Sequence, residues 1–362
     1  MFLALRDLRR GWRRFALVGL VVGLVAMLST VLTGLADGLV RDGTSGLRAL
    51  PITHLAFAPH SEAVFSRSTL DERALRRWRA VPGAEATPIG VSFVNAAPVG
   101  GGRSIDLALF GVRNGSFLAR ESEGIHGSGL NGIVLSSELR EEGARLGGRY
   151  RIGGPTAAAL RVQGFTFGGS YGHVSIAFVP LSTWQRIAYG SPGGRFSAIA
   201  LRLPPGVDVA AVDRAAGTET KTKEAAYDGS PGFSAETATM TLIRAFLLLI
   251  SALVVGAFFT VLTVQRTQQI GLLKALGASS WFVLRDGVGQ VAMVILAATA
   301  VGAAGGTAVI AALDGGSVPV ALLPGNILTG SALLVAAGIG ASLACFRRIT
   351  RVEPVISLGA QP

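Results

Sequence analysis

The chain changes rhythm twice. Four apolar runs carry no charge at all: Phe15–Ala36 (FALVGLVVGLVAMLSTVLTGLA), Ala245–Val264, Val288–Leu313 and Ile327–Phe346. Each is long enough to cross a bilayer's hydrocarbon core of ~30 Å as a helix. Between the first and second runs the pattern shortens to strand-like stretches punctuated by Gly, Pro and Asn. These are VSFVNAAPV (91–99), SIDLALFGV (104–112), LRVQGFTF (160–167), HVSIAFVPL (173–181) and FSAIALRL (196–203). Helical patterns lie among them, LDERALRRWRAV (70–81) and VDVAAVDRAAG (207–217). The expectation is a membrane protein of four transmembrane α-helices, with a large α+β domain inserted between helices 1 and 2.

Composition agrees. Half of the 362 residues are hydrophobic and 15% are charged, against ~25% charged in soluble domains. The net charge of +11 does not mark a nucleic-acid face, because the basic residues flank the apolar runs instead of alternating with aromatics. Arg6, Arg9, Arg10, Arg13 and Arg14 precede the first run. Arg266, Lys274 and Arg285 lie between the second and third, and Arg347, Arg348 and Arg351 follow the fourth. The short segment 314–326 (DGGSVPVALLPGN) has none. Basic flanks face the cytoplasm, which predicts a multi-pass protein of the cell membrane with both termini inside.

The expected organisation is then a cytoplasmic amphipathic segment (1–14), a first span (15–36), an extracytoplasmic α+β domain (37–239) and a second span (240–264). A cytoplasmic loop (265–287), a third span (288–313), a short outer loop (314–326), a fourth span (327–346) and a cytoplasmic tail (347–362) complete it. The first run is read as a retained helix. It exceeds the ~7–15 apolar residues of a signal peptide, and no A-x-A site follows it.

Several chemistries find no footing. Cys345 is the single cysteine, so no intrachain disulfide forms, and His54, His60, His126 and His173 lack metal-ligand spacing. The turns GGGR (100–103) and GGPT (153–156) have no following Lys-Ser/Thr and are not phosphate loops. No nucleophile–base pair stands out, so this chain carries no evident catalytic site. Gly19 with Gly23, and Gly302 with Gly306, stand four apart and mark faces for close helix contact.

One stretch resists the lipid reading. In QRTQQIGLLKALGAS (265–279), Ile270, Leu273 and Leu276 recur at helical spacing, Lys274 lies off that strip and Gly277 ends the helix. A short apolar strip in the cytoplasm needs a cover. Gln265, Arg266, Ile270, Gly271, Leu273, Lys274, Ala275, Leu276, Gly277 and Ala278 match the motif that follows the second span in MacB/FtsX-like (type VII) ABC-transporter permeases. The layout of the whole chain resembles that family too. The resemblance implies two copies of this chain in the membrane, two copies of a separate ATPase that holds the ATP, and residues 265–277 as the coupling helix between them. Leu3–Trp12 either joins that interface or lies on anionic lipid.

A narrower resemblance, to the family's haem-exporting permeases, rests on Pro231, Gly232, Phe233, Ala235 and Glu236. It implies haem as cargo, with no permanently bound cofactor. Glu236, Met240 and Arg244 are spaced i, i+4, i+8, with Phe233 nearby. A carboxylate or thioether can bind haem iron, an aromatic ring can stack on porphyrin, and Arg can pair a propionate. Met27 in the first span, and Glu219, Glu224 and Tyr227 before the second, complete the candidates. Glu219, Glu236 and Met27 are those for iron. The same residues also have plain roles: Met fills gaps, an acid suits a helix N-terminus, and Arg snorkels. Another amphiphilic cargo, or a mechanotransmitter acting on an outer partner, are the alternatives.

Overall fold

The computed structural model describes residues 12–120, 129–153, 158–265, 279–316 and 318–349. The chain divides into two compact units, Met1–Leu39 with Thr237–Pro362, and Val40–Glu236.

The membrane unit is built from four long helices. These are α1 (Trp12–Asp42), α5 (Phe233–Gln265), α6 (Ser280–Leu313) and α7 (Pro324–Ile349), with α2 (Glu72–Arg79), α3 (Leu181–Tyr189) and α4 (Val209–Ala216) lying in the inserted domain. Each contains a window apolar enough to span a bilayer. Leu17, Leu20, Leu24 and Leu28 of α1 are exposed, while Val18 and Val22 are buried against Val255, Val291, Ile295 and Ala298, and Ala26 is buried beside Gly302. This is the inverse of a soluble helix: the exposed stripe is leucine because its solvent is lipid. The small-residue faces meet. A Cβ on Gly302 would sit 2.1 Å from the Gly23 carbonyl oxygen, and one on Gly306 2.7 Å from Thr30 Cβ. Only glycine admits that approach.

The inserted unit is a mixed sheet of ten strands among the described residues: β1 (His54–Phe57), β2 (Glu85–Pro98), β3 (Ile105–Val112), β4 (Ile133–Ser136), β5 (Arg149–Ile152), β6 (Ala158–Thr166), β7 (Ser170–Tyr171), β8 (Val174–Pro180), β9 (Ala198–Arg202) and β10 (Glu219–Thr222). Their order is β10-β1-β9-β2-β3-β8-β4-β6-β5, with β7 on β8. Because β5 also pairs with β2, the six strands from β2 round to β5 close into a ring. β9, β1 and β10 extend from the other half of β2 as a wing. Strands β3–β8 and β4–β6 are parallel and the other pairs antiparallel.

Alternation along the strands feeds two cores. Leu55 and Phe57, with Ala108, Phe110 and Val112, enter one; Ala56, with Leu107 and Leu109, enters the other. Helices α2 (Glu72–Arg79), α3 (Leu181–Tyr189) and α4 (Val209–Ala216) cover the second core. Asp71 caps α2, its carboxylate accepting from Arg73 N and Ala74 N at 2.9 and 3.1 Å. The helix then buries Ala74, Leu75 and Trp78.

Candidate functional site

Within the membrane unit, polar side chains near one end of the helices are held by one another. Arg244 of α5 donates from Nη2 to Asp37 Oδ1 at 3.4 Å. Asn326 of α7 donates to the other oxygen of Asp37 at 2.8 Å. The Asp37 side chain is only 12% exposed, so pairing is what makes its charge tolerable. Arg244 keeps one buried donor in reserve: its Nε has no partner among the described residues. Met27 sets its sulfur against α6, 3.6 Å from where a Gly305 Cβ would lie. Met240 is half-buried on α5.

Within the inserted unit, the hairpin joining β7 to β8 turns through Gly172 and His173, both at positive φ. The turn aims His173 between two carboxylates. Its Nε2 is 2.9 Å from Glu236 Oε1 and its Nδ1 3.5 Å from Asp42 Oδ2. Glu236 is in the first turn of α5 and Asp42 is the last residue of α1. A Cβ on Gly43 would stand 2.9 Å from His173 Cε1, so the ring fits because residue 43 is glycine. All three side chains are partly accessible, at 32%, 26% and 41% for His173, Glu236 and Asp42. Among the described residues no cluster of His, Cys, Asp or Glu has the arrangement of a metal-ion cage.

The other predicted residues lie apart from that group. Glu219, on β10, receives Lys221 Nζ at 2.7 Å and the His60 amide at 3.3 Å. The Lys221 contact first, and then the amide, hold its carboxyl below the ordinary range. Tyr227 is buried beneath Arg48, whose guanidinium lies 4.3 Å from the ring centroid, and burial raises its phenol. Phe233 packs on the first core, and Glu224 is exposed before the turn Ala225–Gly229. Gln265 closes α5, and Arg266 to Ala278, with most of segment 1–14, lie outside the described residues.

Asp37, Asp42 and His173 were not evident as site residues beforehand. Asp37 had a signal, being the first charge after the first apolar run. His173 had none, since its partners are over sixty residues away or on the far side of the domain's sequence.

Against known families, residues 15–218 match the MacB-like periplasmic core domain and residues 241–354 the FtsX-like permease C-terminal domain. This chain is an ABC-transporter permease of the MacB/FtsX type. Members of this family imply an ABC ATPase partner. A relative in Staphylococcus epidermidis, inferred to be the hemin transport system permease protein HrtB, is 23% identical over 99% of both chains. An uncharacterized ABC transporter permease of Mycobacterium tuberculosis is 25% identical, again over 99% of both. Among solved structures, the extracellular domain of the ABC-type transporter YknZ from Gram-positive bacteria covers 47% of this chain and 98% of its own, at 14% identity and TM-score 0.34.

Proposed function

We propose that this permease exports haem from the outer leaflet of the membrane, driven by ATP hydrolysis on a separate ATPase. A homodimer of the chain with two ATPase subunits forms the transporter. The observation that carries the reading is Arg244: its guanidinium is anchored to Asp37 on one side and has a buried Nε without a partner on the other. A buried orphan donor on a charged group invites an anion, and a haem propionate supplies one. Met27, in the same unit as Arg244, offers a thioether for iron, and Glu236 is the carboxylate candidate. Full-length similarity to proteins inferred to be HrtB supports the same cargo. Glu219 and Tyr227 already have protein partners and contribute less to this reading. Residues 265–277 take the ATPase contact.

The test is to purify the permease with its ATPase and titrate haemin. A Soret shift, with ATP hydrolysis stimulated by haemin, is expected. Arg244→Met is expected to weaken haemin about ten-fold, as for one lost charge-assisted contact, and Glu236→Gln or Met27→Ala to alter the Soret band. Absence of both the shift and the stimulation overturns the reading, leaving another amphiphile or a non-transporting lever.

A further inference from the structure

The inserted domain contains a cleft of about 500 Å³ that the haem reading does not use, and none of its lining residues is charged. It opens where β2 changes partners. One edge of β2 bonds β3 without a break from Ile89 to Ala96. The opposite edge is divided: β9 takes Glu85 to Ile89 and β5 takes Ala96 to Pro98.

Successive residues of an antiparallel strand direct their N–H and C=O to opposite edges. Ile89 and Asn95 give the phase on the divided edge. Their carbonyls accept from Ser197 N at 3.1 Å and Gly153 N at 2.9 Å. Val91 shares the phase and donates its N–H to the Ser197 hydroxyl at 3.2 Å. Phe93 is next in phase. Its N–H and C=O face the interval between β9 and β5, and no described residue bonds either.

The surroundings of this gap are constructed. The Trp184 side chain lies over the cross-strand pair Gly90 and Gly111, where an added Cβ would approach it to 2.3 and 2.4 Å. Its N–H donates to Ser92 Oγ at 2.9 Å. On the other face the Phe93 ring stacks on Tyr171 at 5.9 Å and 12°. Trp184 and Tyr171 are each 1% exposed, whereas Phe93 is 48% exposed.

An open donor–acceptor pair on a strand edge is a template for another strand. We propose that this cleft binds an extended, uncharged peptide segment of an extracytoplasmic partner, which fills the sheet between β9 and β5 by exchanging two hydrogen bonds with Phe93. The interval from Val91 to Asn95 spans ~14 Å at ~3.4 Å per residue, room for about three ligand residues. The apolar and hydroxyl lining selects against charge, and haem's carboxylates would find no cation there. The inference stands apart from the haem reading.

The test uses the full chain in lipid nanodiscs and a fluorescein-labelled acetyl-Val-Ala-Val-Ala-amide, followed by anisotropy. The comparison probe is the same peptide with every backbone nitrogen methylated. Saturable binding is expected, about ten-fold weaker for the methylated peptide, the size of one or two lost backbone bonds. Phe93→Pro removes the N–H that faces the cleft and none that faces β3, and should weaken the first peptide similarly. Phe93→Ala keeps the backbone and should keep the discrimination between peptides. Equal binding of both peptides, or no saturable binding, overturns the proposal. A Phe93→Pro chain that unfolds cooperatively as the parent does, yet binds equally, overturns it too. If that variant does not fold, the two peptides on the parent chain decide.

Discussion

Glycine means different things in the two units. In the inserted domain Gly190 and Gly217, at φ 79° and 67°, end α3 and α4 in the left-handed region, and Gly90 and Gly111 make room for the Trp184 side chain. In the membrane unit Gly302 and Gly306 stay helical and exist for the sake of their missing side chains. The difference follows from the solvent. In water an apolar core drives assembly, and glycine serves turns and the seating of large side chains. In lipid, leucine gains nothing from another leucine, so helices associate where small residues let backbones touch. In the membrane unit Asp37, Arg244 and Asn326 share one polar network.

The strongest way to break this contrast is Gly302→Leu, which forces bulk where Cβ alone would meet the Gly23 oxygen at 2.1 Å. A loss of about 3 kcal/mol or more is expected, read as a lowered Tm in nanodiscs. Gly289→Leu, with nothing within 4 Å of its Cβ, should leave Tm near the parent's. The outer counterpart, Gly111→Ala under Trp184, is expected to cost ~1–3 kcal/mol. If the outer substitution proves the worse, helix contact is not what holds the membrane unit.

Next comes Arg244→Met, which leaves the Asp37 carboxylate to Asn326 alone. Removing one partner of a buried pair costs ~3–5 kcal/mol, but Arg244 is 36% exposed, so about 1–2 kcal/mol is expected. Adding Asp37→Asn should recover most of it. Non-recovery in chemical denaturation would mean that the pair is incidental.

The smallest effect belongs to Glu219. Its carboxyl titrates below the ordinary 4.5 because Lys221 and the His60 amide favour the anion. The stabilisation is therefore complete above about pH 5 and fades as pH falls through the lowered value. Solvent screening keeps it to a few tenths of a kcal/mol, roughly. Glu219→Gln should flatten the acid limb of Tm against pH by that amount, and an unchanged limb would remove Glu219 from the balance.

Much of the fold is legible before any coordinates, and the residues explain which part. Four uncharged runs announce four helices. The stretches at 91–99, 104–112, 160–167, 173–181 and 196–203 overlap β2, β3, β6, β8 and β9, because long half-buried strands carry a pattern. The strands that escaped notice are short or atypical. IVLS of β4 is buried on both faces and does not alternate, and ETKT of β10 is a polar edge. Closure of β5 on β2 is a non-local event with no local signature. The site divides likewise. Arg244 and Glu236 announce themselves by charge beside an apolar run, but their partners Asp37 and His173 are supplied by folding.

The first and last strands of the inserted domain are neighbours: His54 pairs with Thr222. The wing is thus sealed only when its final strand arrives, some 168 residues (222 − 54) after the first. Such high contact order makes closure slow. α1 is complete in the sequence long before the wing is, and α5 begins at Phe233, soon after the strand that completes it. The ring, whose strands all lie between β2 and β8, can close earlier and leave β1 exposed while it waits. Until β9 and β10 have been made, β1 has no partner strand.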